Sequence, residues 1–280
     1  MFDLAVAYRI YPGVSRSPAF FSSDKFRLSE MCLRSFQRSL GGLRVKIWVL
    51  LDGCPPEYEA LFRDVLRDYD LEIVTLDKIG NLGTFSQQID LLMKQNDAEH
   101  VYFAEDDYFY FPNALEKMIA FMRENRDVDF VTPYDHPDSY YTSSRFEQHY
   151  VKPWGDRYWR TASSTCLTFL TSREILKQTA SIFRSYSSGN MDCSLWLSLT
   201  EKLRLANPKI HLHDLDRLKI WAKAWIWGTR SILFGRRYRL WSPLPTLATH
   251  MESTCLAPIV DWQHEFLTHS EQEPSVSMRS

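Results

Sequence analysis

His100-Val101-Tyr102-Phe103-Ala104-Glu105-Asp106-Asp107 decides how the rest of the chain is read. A short apolar run without polar alternation reads as a strand buried on both faces, the kind found inside a parallel sheet. It runs straight into three consecutive carboxylates. Carboxylates held side by side repel one another, which predicts a cation against them. The C-terminal edge of such a sheet is also where ligands bind. Oxygen donors suit Mg2+ or Mn2+, ions that commonly bridge carboxylates to a diphosphate. The alternative is a solvated acidic turn ahead of the helix that starts near Pro112.

Working outward, strand and helix signals alternate. Leu4–Tyr8, Val45–Leu51 and Leu71–Leu76 are apolar runs of strand length, and 100–104 is the fourth. Helices are predicted over 25–40, stopped by Gly41-Gly42, from Pro55-Pro56 to about Tyr69, and over 84–95. This order means βαβ units and a mostly parallel sheet. Beyond it come a helix at 113–125, a strand at 128–132, a strand at 164–170 and helices at 173–184 and 192–205. The stretch 133–160 has little periodicity and reads as an active-site loop or lid. Residues 263–280 are polar and read as a flexible tail.

The 280 residues are 45% hydrophobic and 24% charged with a formal net charge of -2, a globular balance without the basic surplus that coating a nucleic acid needs. The five cysteines are scattered without a CxxC pair, which fits a reducing compartment. With no basic leader and no eighteen-residue apolar run, the expectation is a cytoplasmic protein.

The order of strands, with the second ending in Asp52, a glycine-containing turn at Gly83 and the acidic triplet after the fourth, resembles GT-A glycosyltransferases of the family 2 type over about residues 3–205. The resemblance implies an α/β fold with a mixed, mostly parallel, Rossmann-like sheet flanked by helices, and a C-terminal helical elaboration. It implies transfer of a sugar, most simply from a UDP-sugar, to a hydroxyl of a glycan or lipid-linked acceptor, with Mn2+ or Mg2+ and inversion. The expected organisation is a catalytic domain 1–213, with a nucleotide-binding half 1–107 and an acceptor half 108–213. A basic segment 214–241, a returning segment 242–262 and the tail 263–280 follow.

Residue by residue, the resemblance makes Asp107 the direct metal ligand, joined by Glu105 and His250, and gives Glu105 or Asp106 the ribose or a metal-bound water. Asp52 would accept a hydrogen bond from the nucleobase; as an Asp-Gly pair it also reads as a turn. Tyr8 and Arg9 would meet the nucleotide, Arg9 through a fork suited to a diphosphate, although a plain ion pair serves as well. Asn81 and Gly83 would let the backbone approach the nucleotide sugar, or are simply a helix start. Asp192 would be the general base for the acceptor, or a helix cap. His250 would return to the metal, or be a packing histidine. His211 and His213 receive no role.

Residues 214–241 hold seven basic residues against Asp214 and Asp216. Helical spacing puts Lys219, Lys223 and Arg230 on one face and Leu218, Trp221, Trp225 and Ile232 on another, a pattern suited to an anionic membrane surface. A core helix with snorkelling cations is the alternative. The rival functions are a nucleotidyltransferase, which lacks its glycine-rich basic loop here because Tyr8–Gly13 occupies that place, and a non-catalytic glycosyltransferase-like binding protein.

Overall fold

The computed structural model describes residues 1–13, 17–141, 149–200 and 215–271. Its first half alternates as expected: β1 (Leu4–Ile10), α1 (Lys25–Ser39), β2 (Val45–Asp52), α2 (Pro56–Val65), β3 (Asp70–Leu76), α3 (Gly80–Lys94) and β4 (His100–Glu105). Then follow β5 (Tyr108–Tyr110), α4 (Ala114–Glu124), β6 (Phe130–Val131), α5 (Asp138–Tyr141), β7 (Val151–Trp154), β8 (Arg157–Ala162) and β9 (Phe169–Ser172). The rest is α6 (Arg173–Arg184), a 3-10 turn Ser185–Ser188, α7 (Asp192–Thr200), α8 (Leu215–Phe234), β10 (Leu240–Leu244), β11 (Ala248–His250) and α9 (Trp262–Glu271).

Among the described residues the strands form a nine-stranded sheet in the order β3-β2-β1-β4-β9-β6-β10-β8-β7 and a small sheet of β11 with β5. In the large sheet only β8 and β9 run against the others, so the expected mostly parallel sheet is observed. Helices cover both faces. Side chains of β1 alternate between two cores: Leu4, Val6, Tyr8 and Ile10 face α1 and α2, while Ala5 and Ala7 face α3 and α6. Gln88 of α3 donates to the carbonyls of Ala7 and Ala104 at 2.7 and 3.0 Å, fixing that helix over the seam of β1 and β4.

Several boundaries differ from the sequence reading. The stretch 133–160 is not all loop: it holds α5 and the antiparallel pair of β7 with β8, which carries Trp159 into a 4.0 Å stack on Phe121. The strand expected at 164–170 starts only at Phe169, and before it Thr165 and Thr168 turn their hydroxyls to Thr132 and Glu105. Residues 263–271 are no frayed tail. They belong to α9, whose Trp262 and Phe266, one helical turn apart, bury against Phe109. Residues 201–205, His211, His213, Asp214 and 272–280 lie outside the described residues.

The basic segment is also not one helix. Beyond α8 the chain turns into β10, and two of its cations serve as struts: Arg236 reaches Asp129 and Arg239 reaches Asp127, each at 2.7 Å. No described helix is long and apolar enough to cross a membrane. α8 lies on α7 through Ala224 and Gly228, and a Cβ on Gly228 would sit 2.5 Å from Ser198 Cβ. Gly228→Val is therefore expected to cost about 1–3 kcal/mol of stability, read as a lower urea midpoint with an unchanged slope.

Candidate active site

The C-terminal ends of β1, β2 and β4 meet the first turns of α1 and α3 around a cleft of about 550 Å3. Arg9, Asp52, Glu105, Asp106 and Asp107 line it from the sheet, with Gly80, Asn81 and Thr84 from α3. Lys25 and Lys78, which the sequence reading passed over, line it too. Lysine in the first turn of a helix opposes the helix dipole, and at Lys25, directly after the capping Asp24, that conflict was the available signal.

Each member of the acidic triplet has its own cation. Arg9 pairs with Glu105, Lys25 with Asp106 at 2.5 Å, and His250 Nε2 with Asp107 Oδ2 at 3.1 Å. The protein itself thus sets a cation against each carboxylate of the triplet. Glu105 is further engaged, its second oxygen accepting from the Thr168 hydroxyl at 2.7 Å. Both Glu105 oxygens are thus engaged within the protein, each by a single partner. Asp107 Oδ1 differs: it is buried and has no hydrogen-bond partner.

Topology explains how His250 arrives. β11 pairs with β5 so that His250 lies opposite Tyr108, next to Asp107 and far from it in sequence. Burial pushes the Asp107 carboxyl up, but the charge and hydrogen bond of His250, with Lys25 and Arg9, outweigh it and hold it at about 2. Burial pushes His250 down, and Asp107 outweighs that, raising it to about 11. The linkage has a definite sign. The Asp107 contribution is present above the ordinary carboxylate range and is lost as pH falls through about 2. The His250 contribution is complete below the ordinary histidine value and is lost as pH rises toward about 11. In metal-free buffer at neutral pH, His250→Gln is expected to cost about 3 kcal/mol, because it strands a buried carboxylate. The gap from wild type should narrow as pH rises toward 11, a trend that urea unfolding across pH will measure.

Asp52 is buried, and its two oxygens accept from the backbone N–H groups of Ile79 and Gly80 at 2.7 and 2.8 Å. It thus shapes the turn that opens α3 and still presents spare lone pairs to the cleft. Gly53 follows at φ +66, and a Cβ there would lie 2.3 Å from Lys78 Cγ, so only glycine lets the Lys78 side chain lie across it. Arg9 also donates to the Asn81 side chain and carbonyl, and Asn81 donates to Tyr186 Oη at 3.1 Å.

Tyr8, Gly83 and Asp192 do not line the cleft. Tyr8 points into the core, its ring edge-on to Phe36 and Phe62 at 5.2 Å each, because the two-residue period of β1 sends Tyr8 away from Arg9. Gly83 lies inside α3 beneath the Ile79 side chain and does not line the cleft. Asp192 is outside the cleft lining as well, at the first turn of α7. It is not the cap: the Met191 carbonyl takes the N–H groups of Ser194 and Leu195, while Asp192 Oδ1 accepts from Cys193 N–H at 2.7 Å. Its charge acts on Tyr186 and on His136, a half-buried histidine missed in the sequence. Burial lowers His136, opposed first by Asp138. The His136 loop is pinned by the buried Asp135, which accepts from Arg160 at 2.6 Å and from Tyr140 at 2.5 Å.

Two donor sets can hold a metal. Asp107 offers a hard oxygen whose bare Oδ1 fits a Mg2+ or Mn2+ ligand, and His250 can add an imidazole only after it sheds the proton it shares with Asp107. His250, Glu252 and Cys255 place their ligand atoms within 4.8 Å of one another, a softer set.

The sequence model of glycosyl transferase family 2 matches residues 30–186, more than half of the chain. The chain belongs to glycosyl transferase family 2. The match spans α1 to the turn after α6 and includes Asp52, Asn81 and the triplet. The fold is that of the GT-A glycosyltransferases, as the sequence resemblance implied. No curated protein matches it. Among solved structures, S. aureus TarS is 14% identical with a TM-score of 0.42, covering 64% of this chain and 30% of its own. TarS 1-349 in complex with UDP-GlcNAc is 14% identical at 0.42, covering 64% and 48%. The mannosyltransferase PcManGT from Pyrobaculum calidifontis, in complex with GDP-Man and Mn2+, is 14% identical at 0.37, covering 50% and 37%. The chain spans less than half the length of these three.

Proposed function

We propose that this family 2 chain transfers a sugar from a nucleoside diphosphate donor, a UDP-sugar first, to a hydroxyl of a glycan or lipid-linked acceptor, with inversion. The observation that carries the reading is the meeting of Arg9, Lys25, Asp52 and Asp107 in one cleft at the C-terminal edge of a parallel sheet. Lys25 and Arg9 keep N–H donors beyond those used on Asp106, Glu105 and Asn81, and these suit the diphosphate oxygens. The spare lone pairs of Asp52 suit a base N–H, at the end of the cleft away from the triplet. Asp107, joined by His250 once it has shed its proton, would hold a divalent ion, which would offset the charge gathering on the leaving diphosphate.

The chemistry asked of the protein is then simple. As the acceptor oxygen bonds to the anomeric carbon and the sugar–phosphate bond breaks, the hydroxyl proton passes to Asp192. Negative charge grows on the diphosphate beside Arg9 and Lys25, which are already held in place by their carboxylates and need no reorganisation. The test is incubation with a panel of nucleotide sugars and Mn2+. Release of nucleoside diphosphate from at least one is expected, and UDP-sugars are expected to lead. Release of pyrophosphate from a nucleoside triphosphate and a sugar phosphate would instead identify a nucleotidyltransferase. Binding without turnover would leave a scaffold.

A further inference from the structure

α8 has two unlike sides. Trp221, Trp225, Leu218 and Ile232, the side expected to meet a membrane, are partly buried, with Trp221 and Trp225 edge-on at 6.2 Å. The opposite side is open. Leu215, Ile226 and Leu233 share one helical face, and Trp227 and Phe234 flank it; Ile226 is 70% exposed and Phe234 84%. Lys219 and Arg230 stand within the same face, both exposed, and among the described residues Lys219 pairs loosely with the exposed Asp216 at 3.3 Å. A run of large apolar side chains in water marks an interaction surface.

We infer that this outer face of α8 docks the protein on an anionic lipid bilayer. Three observations select a bilayer over a second copy of the chain. A two-fold contact through this face sets Lys219 and Arg230 against their own copies, which is repulsive, whereas an anionic headgroup layer neutralises both. Trp227 has the residue type that favours the headgroup boundary, and Ile226, Leu233 and Phe234 reach past the cations as an acyl-boundary helix requires. The face also lies beside the acceptor side of the site, since Lys223 of α8 donates to the Gly189 carbonyl at 2.6 Å, three residues before Asp192. Resting on the proposed function, this last contact presents a membrane-borne, lipid-linked acceptor to Asp192; the docking itself does not depend on it.

The test is co-sedimentation with phosphatidylcholine vesicles, with and without phosphatidylglycerol, at low and high salt. Wild-type protein is expected to pellet with the phosphatidylglycerol vesicles at low salt and much less with the others. Arg230→Glu should lower the partition coefficient roughly tenfold, and Ile226→Ser with Phe234→Ser at least as much. Trp221→Phe, on the inner side, should bind as wild type. The outer-face side chains Ile226, Arg230 and Phe234 are exposed, so in those variants thermal unfolding and release of nucleoside diphosphate from a soluble donor should not change, which separates failed docking from failed catalysis. Wild-type protein that ignores anionic vesicles, or outer-face variants that bind equally well, would overturn the inference. So would a dimer in light scattering that Ile226→Ser with Phe234→Ser dissolves, because it gives the face to a second copy.

Discussion

Asp107→Asn lowers the rate of nucleoside diphosphate release by about three orders of magnitude or more, while thermal unfolding remains cooperative. The size follows from what is lost. A preorganised charge in a site shielded from water stabilises the transition state by several kcal/mol, and removing one such group typically costs a hundredfold to a thousandfold in kcat. Here the substitution removes the negative charge at the ligand position and breaks the ion pair with His250. The fold survives because His250, unlike an arginine, can shed its proton once its anion is gone. Activity within a few-fold of wild type would refute the role of Asp107.

Asp192→Asn is expected to reduce kcat for transfer by a hundredfold to ten-thousandfold, the usual worth of a general base. Donor affinity should not change, because Asp192 lies outside the cleft that Arg9, Lys25 and Asp52 line. The helix start should also hold, since the Met191 carbonyl takes the N–H groups of Ser194 and Leu195 and an asparagine Oδ1 can still accept from Cys193 N–H. Calorimetry for donor affinity and steady-state kinetics with an acceptor give the two readouts. A variant with weakened donor binding and unaltered kcat would move Asp192 from proton transfer to donor recognition.

The first half of the fold was legible because its strands are long apolar runs separated by helices with their own stop signals. Periodicity suffices there. The later strands are short, and their pairing is set at long range: β10 between β6 and β8, β11 with β5. No local pattern encodes such pairing, so the hairpin of β7 and β8 was read as loop. Arg9, Asp52 and Glu105 were found because each ends a parallel strand, and parallel strands deliver their ends to one edge. Tyr8 was misplaced by ignoring the alternation that separates it from Arg9. The cations were the larger omission. Lys25 and His250 come from α1 and β11, and only the folded chain shows that they answer Asp106 and Asp107. His250 was named through family resemblance, and β11 supplies the physical reason for its place.

The most direct measurement is electron paramagnetic resonance of Mn2+ titrated into the protein with UDP present. The account expects a bound-Mn2+ signal in wild-type protein, strengthened by the nucleotide and lost in Asp107→Asn. Equal binding by Asp107→Asn, or Mn2+ that stays free in wild-type protein with UDP and with GDP alike, would contradict it.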